Sequence, residues 1–175
     1  MGNNDKEVIM RLHALSSDAP ASNIPQNNNA NLAPLAWGNG EDVFALRLRQ
    51  SPPKPPERLL AFIDVPDASA LSRTTLRVID ALLTGDLSRI RSDTLSDSLR
   101  VSPTTLRRRL SRDSLTYQQI LDAVRRYRCE EILAGDWAPG KCLAWDLGYA
   151  EVNSFYRAFR RWTGYNYSEL KLLLI

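Results

Sequence analysis

The side chains with most chemistry to offer in this chain are arginines set on helical spacing. Residues 153–164, NSFYRAFRRWTG, carry Arg157, Arg160 and Arg161 beside Phe155, Phe159 and Trp162, with no carboxylate among them. Phe155, Phe159 and Trp162 fall at i, i+4 and i+7, one apolar stripe of a helix with Ala158 inside it. The opposite face then reads Asn153, Tyr156, Arg157 and Arg160. A guanidinium is a planar fork of donors that fits phosphate oxygens and the guanine edge, so such a face suits a nucleic-acid surface. Polar residues opposite an apolar stripe are also what a merely solvated helix presents, and one helix does not separate the two readings.

An internal repeat separates them. Residues 94–110, TLSDSLRVSPTTLRRRL, align with residues 142–159, CLAWDLGYAEVNSFYRAF: Leu95 with Leu143, Ser96 with Ala144, Leu99 with Leu147 and Val101 with Tyr149. After one extra residue in the second copy, Leu106 meets Phe155, Arg108 meets Arg157 and Leu110 meets Phe159. Each copy has a short helix with a small residue at the crossing point, a tight turn and a second helix with an i, i+4 apolar pair, which is a helix-turn-helix. The outward residues of the two second helices are Thr104, Arg107, Arg108 and Ser111, and Asn153, Tyr156, Arg157 and Arg160. Both faces are cationic and neither is acidic, whereas solvated faces commonly mix the two signs.

Other chemistries are poorly supplied. His13 is the one histidine, so His-based acid-base catalysis and His-rich metal sites have little to build on. Cys129 and Cys142 fit no zinc spacing, and each is expected to act as a small hydrophobe on a helix. The glycine-rich phosphate loops and the Gly-x-Ser-x-Gly nucleophile motif are absent. The reading is therefore not an enzyme, with no metal and no cofactor. No signal-peptide pattern opens the chain and no run approaches the ~18 apolar residues of a membrane span, so a reduced cytoplasm is expected. The net charge is only +3, with 43% of residues hydrophobic, so charge placement rather than charge excess carries the argument.

The elements that must hold these faces follow from composition and period. Residues 1–67 form an N-terminal segment: 16–40 are rich in Asn, Ala, Ser and Pro and read as linker or disorder, and short strands are expected within 42–65, at 42–49 and 59–65. From residue 68 to 175 the pattern is helical. A first helix carries Leu71, Leu76, Val78, Ile79, Leu82 and Leu83 and stops at Gly85; a second follows Ser92 as N-cap; a third begins at Pro103 behind Ser102. Residues 116–134 make a long helix closed by Gly135, and short helices are expected from about 140 to 147 and near Ser168. The fold class is mainly α, about seven helices, with a first helix-turn-helix at about 92–112, a linker helix at 116–134 and a second helix-turn-helix at about 140–162. The linker rises about 1.5 Å per residue, roughly 28 Å in all, against the ~34 Å between successive major-groove faces of B-DNA.

VSPTTLRRRL at 101–110, Arg125 and Cys129 with Ile132 and Leu133 in the long helix, and Leu147-Gly148-Tyr149 with SFYRAFRRWTG at 154–164 together resemble the AraC/XylS family of bacterial transcription regulators, over about residues 70–171. The resemblance implies two helix-turn-helix units on a long helix, promoter DNA held through adjacent major grooves, and activation through contact with RNA polymerase; a DNA-bound member is associated with the nucleoid. Carried over by position, base reading falls on Thr104, Arg107 and Arg108 in the first unit and on Val152, Asn153, Tyr156 and Arg157 in the second. Arg112, Arg160 and Arg161 are the phosphate candidates by charge and position.

The chain departs from the family pattern at several places. Pro139-Gly140 and Cys142 stand where a capping and an apolar residue are usual, which would seat the second unit less firmly. Arg100 occupies a turn position where glycine is common, and Tyr167 and Leu170 replace the usual proline and aromatic. These departures motivate an alternative, a protein-interaction module with a degenerate second unit that docks on a protein co-regulator.

Overall fold

The computed structural model describes residues 51–135 and 137–174. Among these the secondary structure is helical throughout, with eight α-helices and no strand. The expected strand at 42–49 and His13 lie outside the described residues.

The apolar run at 59–65 is not the strand expected of it. Pro55 and Pro56 lead into helix α1, Glu57–Phe62, which buries Leu59 and Leu60, with Ile63 buried just past its end. A short apolar run fits a buried strand or a buried helix equally by period. Here good helix formers behind a proline decide it, and Arg58 reaches across to Glu130 and Glu131 of the long helix.

After a 3-10 turn at Ala68–Ala70 comes α2, Arg73–Thr84, capped by Ser72 and buried along Thr75, Val78, Ile79 and Leu82. Helix α3, Ser92–Ser98, starts at its expected cap residue, one position earlier than a cap at Ser92 implies. Ser92 is its first helical residue, and Thr94 closes the end by accepting from the Arg91 backbone N–H at 3.0 Å. Helix α4, Pro103–Arg112, begins as its sequence demands: the Ser102 hydroxyl accepts from Thr105 N–H at 3.1 Å and Pro103 fills the first turn. Its C-terminal Asp113 accepts from Ser72 N–H at 2.9 Å and from the Thr75 hydroxyl, tying the end of α4 to the start of α2. Burial alone would raise the Asp113 pKa, but these hydrogen bonds outweigh it and hold the carboxyl below its ordinary range.

The long helix α5, Tyr117–Gly135, is followed by α6, Gly140–Asp146, α7, Val152–Thr163, and α8, Tyr167–Leu174. Its apolar residues serve two separate cores. Ile120, Leu121, Ala123 and Val124 join α1 to α4 around Val78, Ile79, Leu82, Leu95, Leu106 and Leu110. Beyond them Cys129 joins α6 to α8 around Leu143, Leu147, Phe155, Phe159, Tyr167 and Leu170. Full burial of each such side chain stabilises by about 1.5–3 kcal/mol, so the second core rests heavily on its two phenylalanines.

Tyr167 and Leu170, departures in the sequence, are core residues. The Tyr167 ring meets Phe159 edge-on at 4.9 Å and Phe155 at 5.5 Å, and its hydroxyl donates to the Ala138 carbonyl. Burial pushes that hydroxyl's pKa up. Cys129 is buried as expected, but Cys142 is exposed. The inner face of α6 is taken by Gly140, Leu143 and Ala144, and position 142 falls off it.

Candidate nucleic-acid interface

The repeat read from the sequence is a repeat of hydrogen bonds. At the end of α3, Leu99 N–H donates to Leu95 O (3.0 Å), Arg100 N–H to Asp97 O (2.9 Å) and Val101 N–H to Ser96 O (3.0 Å). At the end of α6, Leu147 N–H donates to Leu143 O (3.0 Å), Gly148 N–H to Trp145 O (2.9 Å) and Tyr149 N–H to Ala144 O (2.9 Å). Both are the same Schellman turn, with a left-handed residue in the same place: Arg100 at φ 54° and Gly148 at φ 71°. The small residues at the crossings, Ser96 and Ala144, are buried. Each turn delivers the chain into the next helix, α4 or α7, with its apolar side inward.

What remains outward on α4 is Thr104, Arg107, Arg108, Ser111 and Arg112, all exposed. Arg109, the third of the consecutive arginines, reaches back toward the Thr74 hydroxyl at 3.4 Å, so it leans on α2. On α7 the exposed residues are Asn153, Tyr156, Arg157, Arg160 and Arg161. Arg157 donates to the Ser154 hydroxyl at 3.3 Å, one turn back on the same helix. Val152 stands apart from the other base-reading candidates: it is half-buried and packs against the second core. Arg161 also stands apart from Arg112 and Arg160, because its guanidinium is ion-paired with Asp122 of α5.

Pro139 and Gly140 do not interrupt the second unit. Helix α6 starts at Gly140, with Pro139 as its extended N-cap residue, and Gly140 is buried beneath the Tyr156 ring. A Cβ on Gly140 would lie 2.5 Å from the Tyr156 Oη and 2.8 Å from Cε1, so the missing side chain makes room for the tyrosine. Tyr156 is then held between this glycine, Phe155 at 5.5 Å and Tyr167 at 5.9 Å, with 39% of its surface still exposed. A polar-tipped aromatic fixed on its inner side and open on its outer side is suited to apolar contact and hydrogen bonding at once.

The sequence assigned no role to several residues that hold this surface in place, Arg125 having entered only as part of the family pattern. Arg125 donates from Nε to Leu147 O (2.8 Å) and from Nη2 to Gly148 O (2.7 Å), and its guanidinium lies 4.1 Å from the Tyr149 ring centroid. Burial raises the Tyr149 pKa to about 12, although Arg125 beside it pulls the other way. Asp122 accepts from Arg161 and, at 3.2 Å, from the Trp162 indole N–H. Arg128 donates to Gly85 O at 2.9 Å, at the end of α2. Their signal in the sequence is only a series of charges on a helix that should be burying both sides, since a short surface helix would carry them as a solvated face.

Residues 95–171 match the family model described as a helix-turn-helix domain. The match covers less than half of the chain and takes in most of both helix-turn-helix units. Among curated proteins the chain is similar to the HTH-type transcriptional regulator VqsM of Pseudomonas aeruginosa, 40% identical over 78 residues, which is 45% of this chain and 24% of that protein. It is also similar to the ornithine utilization regulator of Pseudomonas aeruginosa, 35% identical over 108 residues, covering 62% of this chain and 30% of that protein. The matches thus span less than a third of either regulator's length. Among solved structures, a DNA-binding transcriptional dual regulator from Escherichia coli K-12 superposes with a TM-score of 0.51 at 23% identity, over 55% of this chain and 86% of that one, a likeness of fold. No helix among the described residues is long and apolar enough to cross a membrane.

Proposed function

We propose that this chain is a sequence-specific, DNA-binding transcription regulator that sets α4 and α7 into adjacent major grooves of promoter DNA and activates transcription there. The observation that carries the reading is the pair of outward faces, both cationic and free of carboxylates, presented by one turn geometry built twice. In this reading Thr104, Arg107 and Arg108 read bases in the first groove, and Val152, Asn153, Tyr156 and Arg157 do so in the second. Val152, being half-buried, offers an apolar edge to a thymine methyl rather than a hydrogen bond. Arg112 and Arg160 meet phosphates. RNA polymerase is the partner an activator of this kind would touch, and a cytoplasmic, nucleoid-associated location goes with it.

The alternative, an interaction module with a decayed second unit, drew its motive from Pro139, Gly140 and Cys142. A helix that starts at Gly140 and packs into a core around Phe155 weakens that motive.

The reading is tested by selecting duplexes from a random library with the full chain and titrating the winners. Arg108→Ala and Arg157→Ala are each expected to weaken binding by about 1–3 kcal/mol, roughly 5- to 150-fold, if each makes a good bidentate pair with a base. Parent affinity should fall steeply with salt, because every neutralised phosphate releases counterions. Parent-like binding by both variants, or no duplex retained at all, would overturn the assignment.

A further inference from the structure

Asp122 and Arg125 lie one turn apart on α5, both partly buried, and between them they hold α7 at its two ends. Asp122 takes Arg161 on one carboxylate oxygen and Trp162 on the other, close to the C-terminus of α7. Arg125 takes the Leu147 and Gly148 carbonyls, in the turn that leads into its N-terminus, and covers the Tyr149 ring. The same turn abuts the first unit: a Cβ on Gly148 would lie 2.4 Å from Leu87 O and 2.8 Å from Ser88 N. The first unit is pinned to α5 nearby, through Arg128 on Gly85 O and the Tyr117 hydroxyl on Ile90 O at 3.1 Å.

Two grips define a helix axis where one leaves a pivot. A 12-residue helix is about 18 Å long, so a 10° swing about one end carries the other by about 3 Å, close to the ~3.4 Å rise of one base pair. We propose that Asp122 and Arg125 are positioning residues that set the register of α7 against α4, and thereby the spacing between half-sites that the protein accepts. The outward residues choose bases, and these two choose the distance between them. Arg161 belongs with them, as the far end of the Asp122 grip, rather than with the phosphate contacts. The inference rests on the DNA-binding reading above and goes beyond it.

The experiment takes a duplex selected from a random library by the full chain and lengthens or shortens the segment between its half-sites by one and two base pairs. Parent affinity is expected to fall about tenfold or more per base pair of mis-spacing, the size of effect that one mismatched base pair produces. Asp122→Asn, near-isosteric and so able to fold, should flatten that profile to within about threefold while melting close to the parent. Arg161→Ala should do the same. Arg125→Lys should also flatten it, because an ammonium on a flexible stem does not reproduce the fork on two carbonyls. If Arg161 served only as a phosphate contact, Arg161→Ala would weaken every duplex equally, lower the salt slope by about one and leave the spacing profile intact. That result, with a parent-like profile for Asp122→Asn, overturns the proposal while leaving DNA binding standing. A parent that retains no duplex overturns both.

Discussion

In the first unit the residue that turns the chain from α3 into α4 is Arg100, at φ 54°; in the second, between α6 and α7, it is Gly148, at φ 71°. The hydrogen bonds around them match bond for bond. Their surroundings do not: Arg100 is exposed, whereas Gly148 faces the backbone of Leu87 and Ser88 so closely that no side chain fits. One turn tolerates a costly residue because only its own conformation is at stake. The other requires glycine because it is also a joint between the two units. The second helices differ in the same spirit. Helix α4 is anchored by Leu106 and Leu110 in a core that four other helices help to build, while α7 is anchored by Phe155 and Phe159 in a smaller one.

The largest effect should come from the smaller core. Phe155 is fully buried, and Phe155→Ala is expected to cost about 3–5 kcal/mol. If the two cores are as separate as their residues, the loss should appear in hydrogen exchange at the amides of α6 and α7 well before it appears at those of α2 and α4. Equal loss of protection everywhere would mean that the units unfold as one, and that the joint at Gly148 outweighs the division between cores.

Substitutions at the two turns should move in opposite directions. Gly148→Ala takes on both the left-handed strain of an L-residue, about 1–2 kcal/mol, and an overpacked contact with Leu87, about 1–3 kcal/mol, for a combined loss of roughly 2–5 kcal/mol. Arg100→Gly removes only the strain, less the entropy glycine gives up on folding, and should stabilise by about 0.5–1 kcal/mol. Urea titrations of the two variants check the contrast. Equal and small effects at both positions would remove the argument that Gly148 is a joint.

Much of this difference was hidden from the sequence, for physical reasons that vary by residue. The helices that carry the arginines were legible because Phe155, Phe159, Leu106 and Leu110 repeat at a helical period, and the turns because the two copies align around Leu99 and Leu147. Helix α1 was not, since 59–65 is too short for period to separate helix from strand. The grips of Asp122 and Arg125 on α7 were invisible because their partners lie 22 to 40 residues away, and only folding brings them within hydrogen-bond reach. Cys142 was misjudged because one step along a helix moves a side chain off the buried face.

Gly140 offers the finest test, because sequence and structure assign it opposite values. As a helical glycine it reads as a weakness, and replacement by alanine should help by up to about 1 kcal/mol. As the floor beneath Tyr156 it is a fit, and an added Cβ forces the ring outward. The tyrosine is the movable end of a partly exposed side chain, so the penalty is modest, and Gly140→Ala should destabilise by about 1 kcal/mol at most. In a Tyr156→Ala background the obstruction is gone, and the same substitution should stabilise by about 0.5 kcal/mol. The sign reversal, a coupling of about 1–1.5 kcal/mol, is measurable by a double-mutant cycle on melting or urea curves. If Gly140→Ala stabilised both backgrounds alike, the glycine would be a tolerated defect, and the second unit would be the weaker of the two by sequence as well as by size of core.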